Sequence, residues 1–345
     1  MARVTDGVPR RVNISDVAAL AGVSKGSVSK AMNGQPGISE GTRQRILRIA
    51  EQAGWTPSAR AVALSSAGTR TVALLLNRSP DILAADPFWA ELVSGIESVL
   101  SQHDYWLLLR IDSYSDPLDE ARAYRDLMRS ERVDGLLLAE TRVDDYRFSL
   151  VRELGMPAVI VSQPWSPVDI PWVGPQDPGG GMDEAVRHLI DGGRRRIAYV
   201  TGPPTRSYVM FRTQTLNRAI SEHGVVLVGV RSTDASSEQG FAATEALLAQ
   251  PQRPDAIIYD SDQMALAGYR AIQLHGLRVP EDVAVIGHDD LYVSKWFTPS
   301  LTTVSQDVAG LGARCAARLL ELLGEPVDAL SPFEDPRLVV RESAG

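Results

Sequence analysis

Residues 13–33, NISDVAALAGVSKGSVSKAMN, contain two short helix patterns that only a few residues separate. Ser15 predicts the amino-terminal cap of the first helix, and Gly22 predicts its end. Ser24 is the expected cap of a second helix over residues 25–32, which ends at an Asn-Gly turn. This spacing favours a helix-turn-helix, although an ordinary pair of crossing helices with a solvated face gives the same pattern.

The two helices divide into an apolar and a polar side. The residues expected to face inward are Val17, Leu20, Val23, Val28 and Met32. The outer side of the second helix is short, polar and basic, which suits a helix that contacts phosphates and base edges in the major groove. The residues predicted to contact DNA there are Ser24, Lys25, Gly26, Ser27, Ser29 and Lys30.

The charge distribution separates this region from the rest of the chain. Residues 1–64 contain nine Lys or Arg and four Asp or Glu, a net charge of +5. Because the whole chain of 345 residues has a formal net charge of −8, the remainder has −13. A basic head on an acidic body concentrates the attraction for phosphate in the head.

A third helix and a short segment complete the amino-terminal part. Ser39 is the expected cap of the third helix, which ends at Gly54 and closes a head over residues 1–56. Residues 57–68, PSARAVALSSAG, fit a plain linker. They also fit a hinge helix that folds only on DNA, with Leu64 as an apolar wedge in the minor groove.

From residue 69 onward the pattern alternates between apolar runs and helices. The expected strands are 71–77, 106–111, 135–139, 158–162, 196–201, 225–230, 256–260, 283–288 and 337–342. The expected helices are 88–102, 116–131, 146–153, 182–191, 209–223, 237–249, 263–275 and 308–323. Nearly continuous apolar runs predict parallel strands that are buried on both faces. We therefore expect a small all-α helix-turn-helix head and, over residues 69–345, an α/β body of two doubly wound lobes with a ligand cleft between them.

Several other classes of protein lack support in the sequence. There is no apolar run that predicts a membrane span and no apolar block near the amino terminus, so we expect a cytoplasmic protein without a membrane partner. The single Cys315 excludes an internal disulfide and is expected to be a small buried hydrophobe.

Catalytic and metal-binding patterns are also missing. His288-Asp289-Asp290 has no nucleophile in a recognisable setting, and GPQDPGGGMDE lacks the Lys and Ser/Thr of a phosphate-binding loop. We therefore predict no enzymatic activity, no cofactor and no metal. One alternative remains open, in which Asp260, Asp262, Asp289 and Asp290 hold a divalent cation rather than sugar hydroxyls.

The chain resembles the lactose-repressor (LacI/GalR) family of bacterial transcription regulators over nearly its whole length. The matching blocks, in the order of the family, include ISDVAALAGVSKGSVSKAMNG, GWTPSARAVAL, DPFWAELVSGIE, HLIDGGRRRIAYVTGPP and VPEDVAVIGHDD. The resemblance implies a homodimeric repressor that binds a near-palindromic operator in double-stranded DNA. It also implies a small-molecule effector, such as a sugar, in the cleft.

The resemblance also assigns roles to residues. It places Lys25 and Gly26 at the start of the recognition helix, and Ala61 and Leu64 of the hinge helix in the minor groove. Lys30 stands where members often have Arg, which removes a bidentate reader of guanine. The effector-binding residues that it implies are Phe88, Trp89, Arg212, Ser261 and Asp289. Such a set suits a polyol, since an aromatic face stacks on C–H groups and charged groups bind hydroxyls.

The sequence leaves alternatives open on three points. One of the two aromatic residues, Phe88 or Trp89, could pack in the core instead of contacting a ligand. Ala235 lies where some relatives have a stacking aromatic, for which Trp165 or Trp296 is a possible substitute. The alternatives to an effector-controlled repressor are an exported solute-binding protein, which would lack the basic head, and a regulator that a protein partner controls.

Overall fold

The structure, a computed structural model, describes residues 12–32, 34–56, 68–331 and 333–345. The chain divides into two compact units, Met1–Thr69 and Arg70–Gly345. The hinge residues Ala61 and Leu64 lie outside the described residues. No helix among the described residues is long and apolar enough to cross a membrane.

The first unit contains three helices, α1 (Ile14–Ala21), α2 (Lys25–Met32) and α3 (Glu40–Gln52). The cap of α1 is Asn13, and the prediction of Ser15 was wrong. Asn13 Oδ1 accepts hydrogen bonds from the backbone of Ser15 and Asp16, and Asp16 Oδ2 accepts one from Asn13 N at 2.9 Å. This reciprocal pair is a capping box, so the helix begins before Ser15. Ser39 caps α3 as predicted.

The core of the head is small and is built around Val17, Val28 and Ile46, which are completely buried. Leu20, predicted to face inward, is 66% exposed. Val17 and its neighbours Ala18 and Ala21 define the inner face of α1. At 3.6 residues per turn, Leu20 lies roughly 100° around the helix from the centre of that face.

The first lobe of the body is a five-stranded parallel sheet in the order β2-β1-β3-β4-β5. Its strands are β1 (Thr71–Asn77), β2 (Trp106–Asp112), β3 (Gly135–Leu138), β4 (Ala158–Val161) and β5 (Trp172–Val173). Its helices are α4 (Pro80–Ala85), α5 (Pro87–Leu100), α6 (Pro117–Arg129) and α7 (Arg147–Leu154). The sequence pattern did not predict α4 or β5.

The second lobe is a six-stranded sheet in the order β11-β10-β9-β8-β6-β7, in which only β11 is antiparallel to its neighbour among the strands described. Its strands are β6 (Arg196–Thr201), β7 (Val226–Ser232), β8 (Ala256–Tyr259), β9 (Ala284–Asp289), β10 (Thr302–Ser305) and β11 (Arg337–Val339). Its helices are α8 (Gly180–Asp191), α9 (Ser207–His223), α10 (Ser237–Leu248) and α11 (Asp262–Leu274). The short strand β10 was not predicted.

Burial on both faces was wrongly predicted for two strands, β2 and β7. Each lies at an edge of its sheet, and Trp106 of β2 is 75% exposed. The apolar runs of inner and edge strands look alike in the sequence, but an edge strand has a neighbour on one side only.

The last helix of the body, α12 (Val308–Leu322), packs against α5 of the first lobe. The two helices cross closely at two glycines. A Cβ atom on Gly95 would lie 1.9 Å from Ala309 O, and one on Gly312 would lie 2.3 Å from Leu92 O. Cys315 is completely buried in this core, as predicted, and burial raises the pKa of its thiol. Leu92 of α5 and Leu311 of α12 lie at this contact and at the cleft between the lobes.

Candidate functional sites

The outer side of α2 has the composition expected of a DNA-reading surface. Lys25, Gly26 and Lys30 are exposed, whereas Ser27 and Ser29 are half-buried. Ser24 caps the helix as predicted, because its Oγ accepts a hydrogen bond from Ser27 N at 3.1 Å. The two hydroxyls of Ser24 and Ser27 also lie 3.0 Å apart and share a hydrogen bond.

Gly26 serves no steric purpose within the head. The nearest atom to a Cβ built on it is Ser24 Oγ at 3.7 Å, an ordinary van der Waals distance. Glycine in a helix interior costs about 0.5–1 kcal/mol relative to alanine. The fold therefore does not require glycine at this exposed position, which is a reason to look for its use outside the head.

The loop after α2 lies close to two basic side chains of the head. The Nζ atom of Lys30 lies 3.1 Å from the position of a Cβ on Gly37, whose φ is +103°. Arg43 Nη2 donates a hydrogen bond to Gln35 O at 2.8 Å. Arg43 therefore has a structural partner, while Arg45 and Arg48 point into solvent.

The body contains a cavity between its two lobes with about 980 Å³ of space, including space open to solvent. It lies at the carboxyl ends of the strands of both sheets, where open α/β sheets bind ligands. The structure brings five residues predicted from the sequence together around it, Phe88, Trp89, Arg212, Ser261 and Asp289. Apolar side chains and a few polar groups of both lobes line it, a composition typical of small-molecule sites.

The aromatic side of the cavity is the amino end of α5. Asp86 caps this helix by accepting a hydrogen bond from Phe88 N at 3.1 Å. The rings of Phe88 and Trp89 meet edge to face, with centroids 5.2 Å apart. Trp89 is only 5% exposed and belongs to the core of the first lobe, yet it also lines the cavity. Neither aromatic is therefore a plain core residue.

Arg212 of α9 is held by a buried ion pair. Its Nη1 donates to Asp260 O and to Asp260 Oδ1, both at 3.0 Å. Asp260 also accepts hydrogen bonds from Tyr199, Thr201 and Gly202. Burial alone would lower the pKa of Arg212, but Asp260, Asp289 and two tyrosines together raise it above the usual value. The guanidinium is consequently charged and fixed in place.

Asp289 and Ser261 complete the predicted set. Asp289 ends β9 with a φ of 103°, in the left-handed region that non-glycine residues rarely adopt, and its Oδ1 accepts a hydrogen bond from Gln306. Burial raises the pKa of its carboxyl well above the usual value. Ser261 is the cap of α11, and its Oγ accepts a hydrogen bond from Met264 N at 3.2 Å.

Sequence reasoning missed several cavity residues that lie just after strands. Arg78 directly follows β1, and Glu140 comes shortly after the end of β3. Their side chains form an ion pair at 2.5 Å. Burial alone would lower the pKa of Arg78, but Glu140 together with Tyr208 and Asp86 raises it above the usual value. The position of each residue at the carboxyl end of a parallel strand was the signal that pointed to the cleft.

The two lobes are joined across the cleft beside this ion pair. Segment 140–143 of the first lobe contacts segment 205–207 of the second through hydrogen bonds of 2.8–2.9 Å. These bonds run from Val143 N to Thr205 O, from Ser207 N to Thr141 O, from Thr141 Oγ1 to Ser207 Oγ and from Arg206 Nη1 to Glu140 O. A movement that separates these two segments would break them.

Other residues considered from the sequence lie elsewhere. Asp262 is buried away from the cavity and accepts hydrogen bonds from Leu291, Ser294 and Thr303, and Asp290 pairs with Arg341 at 2.6 Å. Within residues 12–32, 34–56, 68–331 and 333–345, no group of three or more His, Cys, Asp or Glu residues is placed to hold a metal ion.

The suggestion that Trp165 or Trp296 replaces a stacking aromatic was wrong. Trp165 packs on Phe211 with ring centroids 4.9 Å apart, and Trp296 is 67% exposed. Neither lines the cavity, whereas Ala235 does.

Comparison with known proteins matches both units. Residues 13–58 match the model of bacterial regulatory proteins of the lacI family, and residues 186–344 match that of a periplasmic binding protein-like domain. The transcriptional regulator CelR of Thermobifida fusca is 32% identical over 97% of this chain and 98% of its own. The chain belongs to the LacI family. It is therefore a DNA-binding transcriptional regulator, and an exported solute-binding protein is not supported.

Other LacI-family members agree with this assignment. The ribose operon repressor of Haemophilus influenzae is 31% identical over 96% of this chain and 98% of its own. The Lac repressor dimer bound to operator and the anti-inducer ONPF superimposes with a TM-score of 0.84 at 26% identity, covering 97% of this chain and 99% of that one. A CelR-cellobiose complex gives a TM-score of 0.71 at 32% identity, covering 96% of this chain and 100% of that one.

Proposed function

We propose that this LacI-family regulator is a homodimeric repressor whose affinity for a near-palindromic operator is controlled by a small molecule, a sugar or related metabolite, in the inter-lobe cavity. The observation that carries the proposal is the cavity itself, because it joins aromatic and charged side chains of both lobes. A ligand there contacts both lobes and therefore affects their relative position.

In the head, α2 is proposed to enter the major groove. Lys25 and Lys30 are exposed and supply the basic surface, and Ser24, Gly26, Ser27 and Ser29 lie beside them. We place the head at residues 1–56, a hinge at 57–68 with Ala61 and Leu64 in the minor groove, and the regulatory body at 69–345. Two such heads in a dimer would contact two half-sites.

In the cavity, each predicted residue has a proposed role toward a polyol. Phe88 and Trp89 supply an aromatic wall for the C–H face of a sugar. Arg212, Ser261 and Asp289 supply charged and hydroxyl groups for its oxygens. The CelR-cellobiose complex among the similar structures supports a sugar as the ligand class.

The coupling between cavity and head is proposed to use the bonds across the cleft. Segments 140–143 and 205–207 hold the lobes together beside the cavity. A ligand that binds one lobe arrangement more tightly shifts the population toward it, and the hinge transmits the shift to the heads.

The homodimer is proposed to form along the exposed edge strands of the two lobes. Trp106 and Leu109 of β2 and Val226 and Val230 of β7 are exposed large hydrophobic residues. Both strands lie at sheet edges, and a second copy would cover them by the same surface on each subunit.

Selection of binding sites from random double-stranded DNA by the full chain, followed by anisotropy measurements with a metabolite panel, tests this function. We expect a near-palindromic site whose affinity changes with at least one small molecule. A selected site whose affinity no metabolite alters would contradict effector control and would favour a protein partner. Failure to select any site would contradict the function of α2.

A further inference from the structure

The cations that line the cavity are neutralised by the protein itself. Arg78 Nε donates to Glu140 Oε1 at 2.5 Å, and Arg212 Nη1 donates to Asp260 Oδ1 at 3.0 Å. The lining holds two cations and four carboxyl groups, namely Arg78, Arg212, Asp86, Glu140, Asp260 and Asp289. Arg206, which does not line the cavity, adds a third cation beside Glu140. An anionic ligand would therefore have to compete with a carboxylate for every lining guanidinium.

The cavity also stabilises negative charge poorly. Burial raises the pKa of Asp86 and raises that of Asp289 well above the usual value of a carboxyl, even though Arg212 favours the ionised form of Asp289. Desolvation opposes the charged form of any acid in the same surroundings. The carboxylate or phosphate of a ligand would meet the same opposition there.

Three buried polar atoms of lining residues have no hydrogen-bond partner among the described residues. They are the indole Nε1 of Trp89, Oε2 of Glu140 and Oε1 of Gln163. The set consists of one donor and two acceptors at the wall of the cavity, and the nearest cation to Glu140 Oε2 is Arg206 Nη2 at 3.7 Å. A hydroxyl group can pair with both kinds of atom, whereas an ionised carboxylate or phosphate oxygen accepts only.

Side chains of the protein already bind the amino ends of two helices at the cavity. The amino end of α5 already binds the Asp86 side chain, and that of α11 binds the Ser261 hydroxyl. Exposed backbone N–H groups at such ends are the usual anion sites when basic side chains are occupied. In this cavity, side chains of the protein already bind some of these N–H groups.

We propose that the cavity selects an uncharged polyhydroxylated ligand, a neutral sugar or glycoside, and discriminates against sugar acids and sugar phosphates. The inference rests on the proposed function, because it takes the cavity to be the effector site. It extends that function by assigning the charge of the ligand.

Isothermal titration calorimetry of the full chain with matched sugars tests the inference. The neutral probes are D-glucose, D-galactose, D-ribose and cellobiose, and their anionic counterparts are glucuronate, galacturonate, ribose 5-phosphate and cellobionate. We expect at least one neutral sugar to bind, with its anionic counterpart at least tenfold weaker. An anionic sugar that binds more tightly than its neutral counterpart overturns the inference and leaves small-molecule control standing. If no probe binds at about 10 mM, the weak end of specific affinity, both the inference and the sugar-effector function are contradicted.

Two variants locate the origin of the discrimination. Asp260→Asn releases Arg212 from its carboxylate, and Glu140→Gln releases Arg78 from its carboxylate. Each should lower the ratio of neutral to anionic affinity by about tenfold, whereas the exposed control Glu222→Gln should leave the ratio unchanged. A ratio that stays the same in both cavity variants contradicts the assignment.

Discussion

The outer side of α2 and the inter-lobe cavity are both recognition surfaces, but their side chains are held in opposite ways. Gly26 and Lys25 on α2 are exposed, and a side chain built on Gly26 would meet little. In the cavity, Arg212 and Arg78 are buried in ion pairs with the protein. A change on α2 should therefore alter binding with little effect on folding, whereas a change in the cavity should alter both.

The largest effect is expected for Arg212→Ala. The substitution leaves the buried Asp260 carboxylate without its cation, and breaking a buried pair by removing one partner costs about 3–5 kcal/mol. The effector response should also be lost. Urea unfolding followed by tryptophan fluorescence measures the stability of the body, and operator anisotropy with ligand measures the response.

The double variant Arg212→Ala, Asp260→Asn separates these two effects. It removes the uncompensated charge, so most of the lost stability should return while the effector response stays absent. A response that survives in the double variant would show that the ligand does not use Arg212.

The second effect is a pH dependence at Asp262, which is buried behind the cavity. Burial raises its pKa to about 7, although hydrogen bonds from Ser294, Thr303 and Leu291 favour the ionised form and Asp290 opposes it. Because the folded pKa lies above the usual value of 3.8, the folded protein binds a proton that the unfolded chain releases. The associated stability is present below about pH 4 and is lost as the pH rises through 7.

Asp262→Asn isolates this contribution. Between pH 5 and 6 the free energy of unfolding of the wild type should fall by about 1.4 kcal/mol per pH unit more than that of the variant. Urea unfolding at several pH values gives both slopes. Parallel slopes would contradict a raised pKa for Asp262.

A smaller effect, confined to binding, is expected for Lys25→Ala on α2. Operator affinity should fall about tenfold, and the dependence of affinity on salt should weaken if Lys25 contacts phosphate. The melting of the chain should not change, since Lys25 is exposed. Anisotropy over a salt series measures both quantities, with the exposed body residue Lys295→Ala as the control. Equal affinities of the two variants would contradict the proposed role of α2.

The smallest effect on stability, and the one that most sharpens the comparison, is expected for Gly26→Ala. Alanine favours the helix, so the head should gain about 0.5–1 kcal/mol. If the backbone of α2 approaches DNA closely at this position, operator affinity should nevertheless fall. A variant that is more stable and binds as well as the wild type would show that Gly26 has no role in DNA binding.

The local signals in the sequence predicted the positions of most helices and long strands. Ser24 and Ser39 each cap a helix as expected, because capping depends on residues within one turn. The prediction that Leu20 faces inward was wrong because α2 and α3 determine which face of α1 is buried. The prediction that β2 and β7 are buried on both faces was wrong because apolar runs do not reveal which strands lie at the edges of a sheet.

The cavity was predictable only in part. Phe88, Trp89, Arg212, Ser261 and Asp289 were expected from the family resemblance, and their position around one cavity agrees with it. The pairing of Arg78 with Glu140 joins residues that are 62 positions apart. Such long-range pairs, which set the charge of the cavity, depend on how the strands are arranged and not on local sequence.

The most direct test of effector control is the affinity of the full chain for its selected operator with and without a ligand that calorimetry has shown to bind. We predict a change of about 5–150-fold, the usual range of coupling between two sites, in the wild type and none in the double variant of Arg212 and Asp260. An operator affinity that is unchanged at saturating ligand would contradict the account.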